Sequence, residues 1–125
     1  MTDIFCYGAN EGGIHGMGAA RYALINEGAV MYKYGFQGTS YGIPTKDEKI
    51  QTLPLLSILK HIEDFKNFAA SHPELTFNVT RIGCGLAGYL DFEMAPLFKG
   101  LPSNCKFPTE WKHWLGDSVL YHDLH

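Results

Sequence analysis

Two groups of glycines interrupt this chain, each just after a short apolar run, and their chemistry is that of anion binding. The first lies in Ala9 to Ala20, A-N-E-G-G-I-H-G-M-G-A-A, and contributes Gly12, Gly13, Gly16 and Gly18. The second lies in Thr76 to Phe98, TFNVTRIGCGLAGYLDFEMAPLF, and contributes Gly83, Gly85 and Gly88. Glycine removes a side chain where the backbone must bend sharply or approach something closely. A glycine turn that enters a helix aims backbone N–H groups and the positive end of a helix dipole at one spot, which holds phosphate without lysines. The same pattern also serves as a tight strand-to-helix connection that binds nothing, and a lone G-x-G-x-x-G match is weak. Two such turns in one short chain point to a diphosphate clamped from both sides, at the carboxyl edge of a sheet.

The elements that must carry these loops follow from periodicity. Asp3 to Gly8 reads as a buried strand, and a helix then runs to about Glu27 with Gly28 as its C-terminal cap. Ala29 to Tyr41 reads as a loop leading into a strand over Ser40 to Pro44, which Thr45-Lys46-Asp47 ends. A long amphipathic helix is predicted from about Leu53 to Ser71, with Thr52 as N-cap and Pro54 in its first turn. Leu55, Leu59, Ile62, Phe65 and Ala69 form its packing face, and His72-Pro73 stops it. Phe77 and Val79 alternate as a strand, and Leu90 to Phe98 follows as a helix with a carboxylate in its first turn. Asn104 to Phe107 adds a last strand ended by Pro108, and Trp111 and Trp114 pack beyond it. The order β-α-β-α-β-α-β implies an α/β sandwich with a largely parallel sheet containing Ile4–Gly8, Tyr41–Thr45 and Val79–Gly83.

Composition bounds the function. A chain of 125 residues, 46% hydrophobic, makes one domain over residues 1–125 with a real core. The net charge of −3 and the absence of any Lys or Arg run argue against a nucleic-acid polymer as partner. No stretch is apolar enough for a membrane helix, and the N-terminus has no leader pattern. Three cysteines, Cys6, Cys84 and Cys105, without C-x-x-C spacing fit a reduced, cytoplasmic compartment. The six histidines show no ligand spacing, and His113, His122 and His125 fall in a tail expected to be mobile. No metal and no cofactor are expected.

Arg81-Ile82-Gly83-Cys84-Gly85-Leu86 resembles the phosphate-binding loop of macrodomains, especially the subclass that includes the terminal ADP-ribose protein glycohydrolase. In that subclass a strand ending in Thr-Lys precedes a long helix, which leads to the strand carrying R-I-G-C-G-L. Here Thr45-Lys46, the Leu53 to Ser71 helix and Arg81 to Leu86 fall in the same order at similar spacing. His15-Gly16-Met17-Gly18-Ala19-Ala20 is similar to the family's M-G-A-G-I-A turn. The resemblance covers most of the chain from Ile4 to Phe107, and its R-I-G-C-G-L match is the specific part.

This resemblance implies a three-layer macrodomain-like sandwich that binds ADP-ribose or a related NAD-derived nucleotide, free or attached to a protein. Asn10 and the turn from Gly12 to Gly18 would contact the distal ribose and diphosphate. Gly83, Cys84, Gly85, Leu86, Ala87 and Gly88 would close from the other side. Tyr89 lies against the sugar or packs in the core. His15 donates to a phosphate or is merely exposed. Cys84 reads as a nucleophile, or more simply as a small packed side chain with no histidine base. In the glycohydrolase subclass the strand-end lysine, matched by Lys46, attacks the anomeric carbon, and the aspartate after R-I-G-C-G-L moves protons. That position is Ala87 here, which does no acid–base chemistry. Asp91, four residues on, reads as a dipole-stabilising carboxylate, and Asp47 and Glu11 match no family position. The sequence therefore favours a binding module. An ADP-ribosyl hydrolase using Lys46 and a structural or assembly protein with a degenerate pocket are the alternatives. A dinucleotide oxidoreductase fits poorly, because its glycine motif belongs on the first βα turn.

Overall fold

The strand β1 (Thr2–Asn10) occupies the middle of the sheet in the computed structural model, which describes residues 2–123. Its side chains alternate, and both sides are covered: Ile4 and Cys6 join one apolar cluster, Tyr7 and Ala9 another. A strand buried on both faces carries a near-continuous apolar run, which is why Ile4 to Ala9 reads as it does. The six strands lie in the order β2-β3-β1-β4-β5-β6. All adjacent pairs are parallel except β2 (Gly35–Gln37) with β3 (Ser40–Lys46). The protein is thus an α/β structure built on a mixed, mostly parallel sheet, with four α-helices among the described residues.

Helix α1 (Gly18–Asn26) packs Ala20 and Ala23 on Tyr7 and Ala9; Glu27 is its C-cap, and Gly28, the glycine the sequence places at this end, follows with φ +72°. Helix α2 (Leu55–Ala70) carries the chain from β3 across β1 to β4 (Leu75–Val79). It buries Ile58, Ile62, Phe65 and Ala69 on the other cluster. Its phase departs from expectation at one residue, since Ile58 is fully buried and Leu59 only partly. Its start also differs. Pro54 is the capping residue, while Thr52 pairs with the end of β3 instead. Asn104 fastens the other end, its amide donating to the Ala69, His72 and Leu75 carbonyls at 3.0, 3.0 and 3.1 Å.

Four further differences have local causes. Strand β4 stops at Val79 rather than reaching Gly83, because Ile82 N–H turns back to the Thr80 carbonyl at 2.7 Å. The expected Leu90–Phe98 helix is divided into α3 (Asp91–Met94) and a 3₁₀ turn over Ala95–Phe98, where Pro96 brings no N–H to the ladder. Strand β2 was expected to be loop. It is too short to show a period, and pairing with β3 creates it. Strand β6 (Leu120–His122) arises likewise by pairing with β5 (Cys105–Pro108). His122 therefore belongs to the sheet rather than to a mobile tail, and its Nε2 lies 2.8 Å from the Val79 carbonyl. His125 lies outside the described residues. Helix α4 (Lys112–Leu115) and the fully buried Trp111 complete the larger cluster. No helix among the described residues is long and apolar enough to cross a membrane.

Candidate functional site

A cleft of about 400 Å³ opens at the carboxyl ends of β1, β3 and β4, the edge at which α/β sheets place their ligands. Gly8, Ala9 and Asn10 come to it from β1, Thr45 and Lys46 from β3, and Thr80 and Arg81 from the end of β4. Its two flanks are the glycine loops. Of the residues expected from sequence, Asn10, Gly16, Gly18, Lys46, Gly83, Gly85, Leu86 and Ala87 line one and the same space. Gly12, Gly13, His15, Cys84, Gly88 and Tyr89 do not line it.

The first loop is shaped from beneath. The Asn10 side chain clasps Ile14 on both sides, its amide donating to the Ile14 carbonyl at 2.7 Å and its oxygen accepting from the Ile14 N–H at 2.9 Å. His15 is 2% exposed, which removes it from the phosphate-donor role and gives it an internal one. Its Nδ1 lies 2.7 Å from the Gly13 carbonyl, which can only accept, so Nδ1 carries the proton. Nε2 then accepts from the Tyr7 hydroxyl at 2.8 Å. Burial pushes the Tyr7 hydroxyl up to about 12, so it remains a donor throughout the physiological range. This strut explains the histidine better than exposure does.

The second loop is held from outside. Gly83 has φ +82°, and a Cβ there would sit 2.7 Å from the Met94 sulfur, so the glycine is needed for packing as well as for its turn. Thr52 donates its hydroxyl to the Ala87 carbonyl at 3.0 Å, and Tyr89 donates its own to the Leu53 carbonyl at 2.6 Å. Tyr89 is therefore a fastener, packed against the core. Asp91 accepts from Arg81 Nε at 3.1 Å and Nη2 at 2.7 Å, and from Trp111 Nε1 at 2.7 Å. The Arg81 bond, followed by the Trp111 bond, holds the Asp91 carboxyl below its usual range, and burial only partly opposes this. An ionised, fully engaged carboxylate is no proton donor, so Asp91 anchors the loop. Burial, then the neighbouring Asp91, pushes the Cys84 thiol up to about 12, which leaves no thiolate for nucleophilic attack.

What remains free is backbone and one cation. The N–H groups of Gly16, Met17, Gly18, Ala19 and Ala20, and of Gly83, Gly85, Leu86 and Ala87, find no acceptor among the described residues. All of these residues line the cleft. Met17, the N-cap of α1, supplies no side-chain bond, so the first turn of that helix presents its donors uncapped. The Lys46 ammonium makes no hydrogen bond or ion pair with a described residue. The loops come close at Gly18, where a Cβ would lie 3.5 Å from Leu86 Cδ1.

Sequence reasoning singled out Leu86 but none of the other residues of the apolar rim. Ile14, Met17, Ile50 and Leu86 line the cleft at 39%, 66%, 43% and 62% exposure. Ile50 reaches it on the turn that Asp47 builds by accepting from the Lys49 and Gln51 N–H groups. No local pattern marks such a residue; only the return of the chain beside β3 places it. Asp47 is spent on that turn. Glu11 pairs with His61 at 3.0 Å and is not part of the wall. Among the described residues no group of three or more His, Cys, Asp or Glu side chains is placed to hold a metal. No protein-family model, curated protein or solved structure matches the chain.

Proposed function

We propose that the protein binds ADP-ribose or a related NAD-derived nucleotide, on a three-layer macrodomain-like sandwich, with the diphosphate clamped between the two glycine loops. One observation carries this reading: two loops far apart in sequence, both with unpaired backbone N–H groups, line a single cleft that also contains Lys46. Donors without acceptors, gathered around one cleft beside a cation and a helix N-terminus, suit a ligand rich in anionic oxygens. The cleft volume of about 400 Å³ is of the order that small-molecule sites have. The R-I-G-C-G-L resemblance supports the same ligand class and the same loop.

Lys46 stands free in the cleft, which keeps a hydrolase in view, but no carboxylate lines the wall among the described residues. Attack at an anomeric carbon needs a group that moves protons, and its loss costs about 10²–10⁴-fold in rate. Binding without efficient turnover is therefore the favoured reading.

Calorimetric titration with ADP-ribose tests it, using the parent chain and Gly85→Val. An added Cβ at Gly85 meets nothing within 4 Å, so the fold should tolerate the change to within about 1 kcal/mol. Binding by the parent and its loss by tenfold or more in the variant, about 1.4 kcal/mol, is expected. Equal binding by both would remove the clamp. Release of ADP-ribose from glutamate-modified protein that vanishes in Lys46→Ala would instead make the protein a hydrolase.

A further inference from the structure

The chain leaves β3, turns over residues 47–51 and returns beside the strand it has just left. Asp47 N–H donates to the Gln51 carbonyl at 2.8 Å, Thr52 forms an antiparallel bridge with Lys46, and Leu53 N–H donates to the Thr45 carbonyl at 2.9 Å. This return fixes the backbone of Lys46, the cation of the cleft.

The same two residues, Thr52 and Leu53, also hold the second loop. Thr52 donates its hydroxyl to the Ala87 carbonyl at 3.0 Å, and the Leu53 carbonyl accepts from the Tyr89 hydroxyl at 2.6 Å. The Ala87 carbonyl belongs to a planar peptide unit whose other end, the Gly88 N–H, donates to the Gly85 carbonyl at 3.0 Å. A peptide plane held at both ends has little freedom to tilt. Just before it stand the N–H groups of Gly85, Leu86 and Ala87, which find no acceptor among the described residues. Thr52 is exposed and does not line the cleft, so its influence on a ligand passes through the residues it ties.

We infer that Thr52 is a positioning residue: its backbone pairs with Lys46 and its hydroxyl holds Ala87, which sets the turn 85–88 at a fixed separation from the ammonium. The inference rests on the diphosphate reading above and deepens it. A diphosphate bound by a cation and by backbone donors depends on the spacing between them. Donors held in place before the ligand arrives lose no affinity to ordering.

Calorimetric titration of the full chain with ADP-ribose, alongside thermal unfolding, tests this in Thr52→Val and Thr52→Ser. Valine keeps the branched shape and removes the hydroxyl, whereas serine keeps the hydroxyl. Thr52→Val should bind about three- to tenfold more weakly than the parent, the worth of one hydrogen bond. Its melting temperature should stay within about 3 °C of the parent, as for other exposed positions. Thr52→Ser should bind within about twofold of the parent. Equal binding by the parent and Thr52→Val would overturn the inference and leave the diphosphate reading intact. A Thr52→Ser chain as weak as Thr52→Val would also overturn it, by assigning the loss to the methyl group. Titration well below the melting range reads only folded molecules, so lost stability without lost affinity would make Thr52 a prop of the fold and overturn it too. If ADP-ribose does not bind the parent chain, the diphosphate reading fails and the inference fails with it.

Discussion

The two glycine loops face each other across one cleft, yet they are held in opposite ways. The side chains that brace the first come from its own stretch of chain. Asn10 binds Ile14 four residues on, His15 binds the Gly13 carbonyl two residues back, and Tyr7 reaches His15 over eight. The second is braced from far away. Thr52 lies 35 residues from Ala87, Leu53 lies 36 from Tyr89, and Trp111 lies 20 from Asp91. The first loop draws its side-chain braces from its own stretch, with the Tyr32 N–H on the Gly13 carbonyl and the Glu11 N–H on the Lys46 carbonyl tying it to the neighbouring segments, whereas the side-chain braces of the second need α3 and the C-terminal helices docked as well. The cleft is therefore complete only in the fully folded chain, and damage to distant packing should reach it through the second loop.

The largest break in this comparison should come at Gly83. Gly83→Ala puts a Cβ at a left-handed φ and against Met94, and should cost about 2–4 kcal/mol in urea unfolding. Gly85, only two residues away, should tolerate substitution and lose only ligand. If Gly83→Ala is neutral, the second loop is not built on Met94.

Tyr7→Phe should come next. It leaves the buried Nε2 of His15 without its donor, at a cost of about 1–3 kcal/mol, and loosens the first loop while sparing the second. The alkaline limb of stability sharpens the contrast. Tyr7 and Tyr41 both have hydroxyls pushed up to about 12 by burial, above the ordinary tyrosine value of about 10. A folded-state pKa raised in this way gives stability that is full below the unfolded value and lost as pH rises through the folded one. Unfolding midpoints should therefore fall between about pH 10 and 12, and fall less steeply in Tyr7→Phe. An unchanged alkaline slope in the variant would show that Tyr7 is not a buried donor.

The smallest effect belongs to Asp91→Asn, which weakens the fork to a half-exposed Arg81 but leaves an oxygen for Trp111. It should cost under about 1 kcal/mol at neutral pH. Here the sign is reversed. The Asp91 carboxyl is lowered in the folded state, so its contribution is present above the unfolded carboxylate value and lost as pH falls through the folded one. The difference between parent and variant should shrink on acidification. A difference that grows toward low pH would mean that Asp91 is not held ionised by Arg81.

Much of the frame was legible in the sequence, for reasons internal to each segment. The apolar run of Ile4 to Ala9, the helical spacing of Ile62, Phe65 and Ala69, and the glycines at 83 and 85 are limits that any fold of this chain must respect. They were enough to place Asn10, Lys46 and both loops around a common cleft. The roles of single polar side chains were not legible. His15 read as a phosphate donor or as exposed and is a buried strut; Asp91 read as a dipole carboxylate, stands in the first turn of α3 and is also the hub of Arg81 and Trp111; Tyr89 read as a sugar contact or a core ring, packs on the core and ties its loop to Leu53.

The sequence by itself determined where the chain must extend, coil or turn, because periodicity and φ limits act within a few residues. Tertiary structure alone decided that Ile58 rather than Leu59 faces the core, that β2 and β6 exist, and that Ile50 borders the cleft. It also decided which polar groups were left over. A hydrogen-bond partner is chosen by whatever acceptor the folded chain brings within about 3 Å, and that choice is made between segments tens of residues apart.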